Sequence, residues 1–311
     1  MDAAMPQWVQ DGGCDVIVAQ RTCMPGPTRL WQKLAREGHS KLVFEIDDDL
    51  WNVEPHNRNA HDLYVRGNLR DQVGQLIQEG APIRQNLIDN ITVADVVTVT
   101  TEPLADIVSQ WNRNVVILPN CIPSWLLDQP MPNQYPNRLT LGWGGGPSHT
   151  RDFGEIARPL KRVLQRFGDA VEWHCIGPNY TERVASRRGH TRHTRWFDGV
   201  EDYLRGVDWH VGFAPLRSST FNDSKSDLKL IEMAALGIPA IVSNTGPYKG
   251  AYVAGAPCIA VDDGKEFESA LIELVQSPEQ RSQLGKEARE WAATRTIERH
   301  VHEWEEAYGG A

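Results

Sequence analysis

The pattern that most constrains this chain is an alternation of short, β-branched apolar runs with longer stretches of helical apolar spacing, and the alternation occurs twice. In the first half, residues 15–21 (DVIVAQR), 41–51 (KLVFEIDDDLW), 95–101 (DVVTVTT) and 114–120 (NVVILPN) read as strands. Residues 28–38 (TRLWQKLAREG) read as a helix closed by a glycine that can take the left-handed cap. A long helix is expected between the polar stretch 56–68 and residue 95, and another near 103–111. Pro119, Pro123, Pro130, Pro132 and Pro136 then stiffen a segment with the composition of a domain linker, placed at 123–138. Strands restart at 139–143 (LTLGW), 171–177 (VEWHCIG), 208–216, 239–244 and 257–261, with helices between and two amphipathic helices at the end. Such alternation predicts an α/β fold of parallel sheets with helices on both faces, divided into domains at 1–122 and 139–290 and a closing helix at 291–311.

Composition narrows the function classes. The longest apolar runs fall far short of a membrane span, and no basic n-region with an apolar h-region follows Met1. The five cysteines are scattered and form no CxxC pair, which argues against a zinc site or a disulfide framework and fits a cytoplasmic, reducing setting. A formal net charge of −9 argues against an extensive nucleic-acid surface. One basic run departs from this balance: Arg183, Arg187, Arg188, Arg192 and Arg195, with His190 and His193. A solvated loop is the plainer reading, and contact with a phosphate, an anionic acceptor or, peripherally, an anionic membrane is the alternative.

Ligands in open parallel sheets bind beyond the carboxyl ends of the strands, and three segments at such ends carry unusual chemistry. Gly144, Gly145 and Gly146, followed by Ser148 and His149, leave the strand at 139–143. Glycines there let backbone N–H groups approach a phosphate, although Pro147 removes one donor and the spacing is not GxGxxG. A tight turn is the competing explanation. The second segment is residues 221–232, FNDSKSDLKLIE. Ser226 or Asp227 is placed to cap a helix beginning near Asp227, whose first turns carry Leu228 and Lys229, both ligand candidates, and Glu232. The helix start attracts a diphosphate, Lys225 and Lys229 add positive charge, and Glu232 suits the paired hydroxyls of a ribose. A surface Lys229–Glu232 pair is the plainer alternative. Asn222 and Asp223 within this segment, and Arg217 before it, are further ligand contacts. The third segment is Asp47, Asp48 and Asp49, read as an acceptor-side acid/base site in preference to a metal site or a turn cap.

The stretch SDLKLIEMAALGIPAIVSNTGPY resembles the donor-binding segment of glycosyltransferases with the GT-B fold, in particular the retaining family 4, or group 1, enzymes. Those enzymes read E-x7-E-A-x-A-x-G-x-P-V-V-A-S, and Glu232 matches the second glutamate, which implies ribose binding. The first glutamate falls at Ser224, so Asn222, Asp223 or Lys225 is left to replace it. LGWGGGPSHTRDF is similar to the first strand and glycine loop of the family's C-domain, with Gly146 where an arginine is usual. The resemblance implies two Rossmann-like domains facing each other across a cleft, with a shortened N-terminal acceptor domain and the donor on the C-terminal one. It implies a nucleoside-diphosphate sugar as donor substrate, no required cofactor or metal, and a saccharide or protein acceptor. Asp47, Asp48 and Lys225 are then the catalytic candidates. A phage-type DNA-base or virion-protein glycosyltransferase, a weakened nucleotide-sugar-binding module and a metal-dependent enzyme using Asp47 and Asp49 remain as rival readings.

Overall fold

The computed structural model describes residues 13–71 and 73–309. The chain divides into two compact units, one of residues 1–119, 223–226 and 301–311, the other of 120–222 and 227–300.

In the first unit, β1 (Val16–Gln20), β2 (Lys41–Ile46), β5 (Val96–Val99) and β6 (Val115–Ile117) form a parallel sheet in that order. Alternation along β2 sends Phe44 toward α1 (Pro25–Glu37), where it meets Trp31 edge-on at 6.0 Å. Both rings are buried, each stabilising the fold by about 1.5–3 kcal/mol. Gly38 ends α1 in the left-handed region at φ 66°, as its position in the sequence suggests, and its N–H bonds the Leu34 carbonyl. Trp31 Nε1–H donates to the Asn90 carbonyl, which fixes α1 against α2 (Ile83–Thr92), and α3 (Glu102–Val108) follows β5. On the opposite face of β2, Lys41 Nζ donates to the Ala307 carbonyl and the Tyr308 hydroxyl to Glu45. Residues 301–309 of the closing helix thus cover the face that α1 leaves open.

The long helix expected before residue 95 is a correction. Only Ile83–Thr92 is helical there, and the preceding chain forms helical turns over Arg58–Ala60 and His61–Val65 and an antiparallel hairpin, β3 (Leu69–Arg70) and β4 (Leu76–Gln78). The glycines explain this. Gly74 and Gly80 lie at φ 84° and 61°, and a Cβ on Gly67 would fall 2.1 Å from the Ala81 carbonyl oxygen. These backbone shapes stop a helix.

The second unit holds six parallel strands: β7 (Leu139–Gly144), β8 (Val171–Ile176), β9 (His190–Thr194), β10 (Val211–Ala214), β11 (Ala240–Ser243) and β12 (Ile259–Val261). Their order is β12-β11-β10-β7-β8-β9, so the winding reverses between β7 and β10. That reversal opens a crevice at the carboxyl ends of these two strands. One face of the sheet packs on α4 (Thr150–Phe167), which buries Phe153, Ile156, Leu160, Val163 and Leu164 at helical spacing. The other packs on α5 (Val200–Gly206) and α6 (Leu228–Ala235). Gly142 in β7 is a packing requirement, because a Cβ there would lie 1.9 Å from the Trp209 ring.

The boundary expected within 123–138 falls instead at Pro119 and Asn120, and the proline-rich segment is part of the second unit. Ile122 and Leu126 are buried, Arg289 bonds the Leu127 carbonyl and Arg281 bonds the Gln134 carbonyl. Prolines here shape a packed segment, not a free spacer. The chain closes with α7 (Gly246–Val253), α8 (Gly264–Gln276), α9 (Pro278–Ala292) and α10 (Ile297–Gly309).

Candidate donor site

The glycine loop leaves β7 at the reversal of strand order. The Gly145 N–H bonds the Ile176 carbonyl at 3.1 Å, and a Cβ on Gly145 would stand 2.7 Å from Lys229 Nζ. Lys229 reaches this loop from the first turn of α6, with its ammonium 5.4 Å from the centre of the Trp143 ring. Gly144 lies against the Tyr203 hydroxyl, and Gly177, at φ 110°, admits the Gly145 carbonyl where any side chain would collide. Small residues therefore bring the backbone of two strand ends together with one cation.

Glu232 follows Lys229 by one turn on α6 and is half-buried. Burial pushes its carboxyl up to about 7, against the pull of the Lys229 ammonium. Its charge raises the neighbouring Tyr203 hydroxyl further, beyond the effect of that ring's own burial. This is a carboxylate in an apolar setting with few local reasons to be there.

Ser148 lies in the helical turn Pro147–His149, and His149 Nδ1 is 2.8 Å from Asp152 Oδ2 in the first turn of α4. Asp152 is buried, and its other oxygen accepts from the Arg217 N–H and from Asn222 Nδ2, each at 3.1 Å. Burial alone would raise the Asp152 carboxyl, yet His149 and the Arg217 N–H hold it below the usual carboxylate range. Asp152 thus joins the glycine-loop turn to the chain after β10. The Arg217 side chain turns toward Glu155, with Nε 3.5 Å from Oε1, and lines a crevice beside β10, β11 and β12.

The sequence expectation for the start of α6 needs correcting. Asp227 stands at the cap position, but its side chain makes no capping bond. Its carboxylate is held by Arg295, whose Nη1 and Nη2 lie 3.2 and 3.3 Å from its two oxygens. The helix itself begins at Leu228. Lys225 falls in the first unit with Asp223 and Ser226, where its Nζ lies 3.0 Å from Asp48 Oδ1. Lys225 and Lys229, read together as neutralising one diphosphate, belong to different units.

In the first unit, Asp47 follows β2 with Arg21 Nε at 3.4 Å. Burial and the adjacent Asp48 raise its carboxyl, while Arg21 opposes them. Asp49 is fully buried, accepts from Asn52 Nδ2 at 2.7 Å and is raised by burial. It has the surroundings of a structural turn residue. Among the described residues, no three His, Cys, Asp or Glu side chains converge as metal ligands.

Sequence reasoning missed Asp152, Tyr203 and Arg295. An acidic residue in the first turn after a glycine loop was a usable signal for Asp152; Arg295, 68 residues from its partner, had none.

The glycosyl transferase-like family model matches residues 154–306, from the first turns of α4 to the last helix. The chain has the GT-B fold. The S. aureus TarM structure in complex with fondaparinux, α-GlcNAc-glycerol and UDP is similar at TM-score 0.57 and 15% identity, over 86% of this chain and 50% of TarM. A trehalose-6-phosphate synthase, studied with bisubstrate glycomimetics for glycosyl transfer with retention, matches at TM-score 0.63 and 13% identity, over 93% of this chain and 72% of that one. The UDP-forming α,α-trehalose-phosphate synthase of Burkholderia xenovorans, in complex with glucose-6-phosphate, matches at TM-score 0.63 and 11% identity, over 96% and 73%. At such identities the likeness is one of fold. The chain spans about half the length of TarM. No curated protein sequence matches it, and no helix among the described residues is long and apolar enough to cross a membrane.

Proposed function

We propose that the protein transfers a hexose from a nucleoside-diphosphate sugar to a saccharide or protein hydroxyl, with retention at the anomeric carbon and without a metal ion. The observation that carries this reading is the convergence of Gly145, Lys229 and Glu232 at the strand-order reversal between β7 and β10. The Lys229 ammonium and the N–H groups at the start of α6 take the diphosphate, and ionised Glu232 accepts the two ribose hydroxyls. The bond from the anomeric carbon to the phosphate oxygen breaks, the acceptor oxygen bonds to the same carbon, and the acceptor proton passes to the departing diphosphate oxygen. Fixed positive charge facing the departing diphosphate lowers that barrier. Lys229 stands in for the arginine whose place Gly146 occupies. Asp47 and Asp48, with Lys225, are assigned to the acceptor side. The solved structures with UDP, and the one studied for retention, support the donor class and the stereochemistry.

The test is donor turnover with a panel of UDP-, GDP- and ADP-sugars in the presence of EDTA. One of these is expected to yield free nucleoside diphosphate, with kcat/KM falling about 100-fold in Lys229→Ala, the scale of removing one transition-state charge contact. Full turnover by Lys229→Ala and Glu232→Ala together sinks the assignment, and abolition by EDTA returns the metal-dependent reading.

A further inference from the structure

The second unit has a second candidate site at the amino ends of its strands. A recess of about 580 Å³ opens there between the last turn of α4 and the segment before β9, lined by Arg166, Gly168, Asp169, Arg187, Arg188 and His190. The glycine loop lies at the other end of the same sheet, after β7.

Three observations distinguish this recess from a solvated basic loop. First, it is built. The Gly189 N–H donates to Ser186 Oγ at 2.8 Å, and a Cβ on Gly189 would fall 2.8 Å from Leu164 Cβ, so the segment lies directly on α4. A Cβ on Gly168 would stand 3.6 Å from Arg188 Cβ, in ordinary contact. Arg166 lies with its guanidinium carbon 5.4 Å from the centre of the Phe167 ring. Second, the positive charge is uncompensated. Arg166, Arg187 and Arg188 form no ion pair among the described residues, whereas Arg162, one turn earlier, pairs with Glu268, and Arg192 pairs with Glu172 and Asp208. In a chain with 41 acidic and 32 basic residues, three such guanidiniums at one recess are unexpected. Third, the recess's one carboxylate is engaged: Asp169 Oδ1 lies 2.6 Å from His190 Nε2.

Like charges held together on a fixed backbone repel unless an anion joins them, and planar guanidiniums match the oxygens of a phosphate with paired hydrogen bonds. A helix C-terminus accounts for Arg166 alone, since cations are favoured there, but not for two arginines from another element. We propose that the recess is a binding site for a phosphate group, distinct from the donor site and independent of the transfer reaction. The phosphate belongs either to a soluble phosphorylated ligand or to a lipid headgroup, and the chemistry of recognition is the same.

The site is tested by ³¹P NMR titration of the full-length protein at 0.15 M salt with inorganic phosphate and with glucose 6-phosphate, and by sedimentation with phosphatidylglycerol vesicles against phosphatidylcholine controls. UDP binding is measured on the same samples. Saturable binding of a soluble phosphate, weakened at least tenfold in Arg187→Ser/Arg188→Ser but not in Arg58→Ser, supports the site and identifies a soluble ligand. Vesicle binding lost in the same double variant, without saturable binding of the small phosphates, supports it with a headgroup as source. The double variant should melt with the wild type, because both side chains are exposed. If neither probe binds, or the double variant binds like wild type, the proposal is overturned. UDP binding in that case would leave the donor reading intact.

Discussion

At the scale of single residues, Glu232 makes the sharpest prediction. Its carboxyl ionises near 7 in the folded chain and near 4.5 when exposed, so between those values the native state binds the proton more tightly. Its contribution to stability is therefore complete below about pH 4.5, falls as pH rises, and is lost by about pH 7. Glu232→Gln should remove that slope and raise stability at pH 8 by an amount on the order of 2 kcal/mol, reduced from the full shift because the side chain keeps some exposure. Ligand binding should run the other way. UDP affinity is expected to climb about tenfold from pH 6 to pH 8 in the wild type and to stay low and flat in Glu232→Gln. Titration calorimetry at the two pH values decides it, and a flat wild-type profile removes Glu232 from the ribose. Asp152 has the opposite sign. Its folded carboxyl lies below the usual range, so its stabilisation is present above about pH 4 and is lost only as pH falls through the folded value. Asp152→Ala strands the Arg217 N–H and removes one of the two acceptors of Asn222 Nδ2, leaving it only the Arg217 carbonyl, and should cost about 2–4 kcal/mol by urea unfolding at pH 7.

At the scale of elements, five of the six strands of the second sheet were legible, because each is a short apolar run bounded by turn residues; β9, HTRHT, lies in the basic run read as a solvated loop, and its polar side chains gave no strand signal. The first unit was read less well for a physical reason. Residues between 68 and 82 carry enough apolar side chains to pass for part of a helix, and only the backbone demands of Gly67, Gly74 and Gly80 show that they turn back as a hairpin. Glycine in a strand carries similar information. Gly142 is fixed by the Trp209 ring, a partner 67 residues away that no local pattern reveals. Gly142→Ala would force an overlap inside β7 and its neighbours, at a cost of about 1–3 kcal/mol. For a chain of this size that lowers the melting temperature by roughly 3–10 °C, measurable by circular dichroism. An unchanged melting temperature would mean that Trp209 has room to move. The cap of α6 shows the limit of local reading. Ser-Asp before an apolar run is a sound capping signal, but a long-range ion pair to Arg295 took the aspartate instead.

At the scale of the whole molecule, doubled alternation was enough for the fold class, and the segment around Glu232 was enough for the likeness to GT-B enzymes. Neither the division at Pro119 nor the return of residues 301–309 to the first unit follows from composition, since both are fixed by contacts between distant parts of the chain. That return bears on stability. Residues 223–226 and the end of the closing helix belong to the first unit although the sequence reads as second half there, so the chain passes between the units four times and should not be separable by a single cut. A fragment ending at residue 296 would lose the Tyr308–Glu45 and Lys41–Ala307 contacts and leave that face of β2 bare. It is expected to expose apolar surface, bind hydrophobic dyes and melt earlier than the full chain. Nucleotide acts at the same scale: a ligand held only by the native chain stabilises it by about 2.7 kcal/mol at one hundred times its dissociation constant. UDP should therefore raise the melting temperature of the full-length protein by several degrees and of Lys229→Ala by much less. An equal rise in both would place the nucleotide away from the glycine loop, and the donor site would have to be sought on other residues.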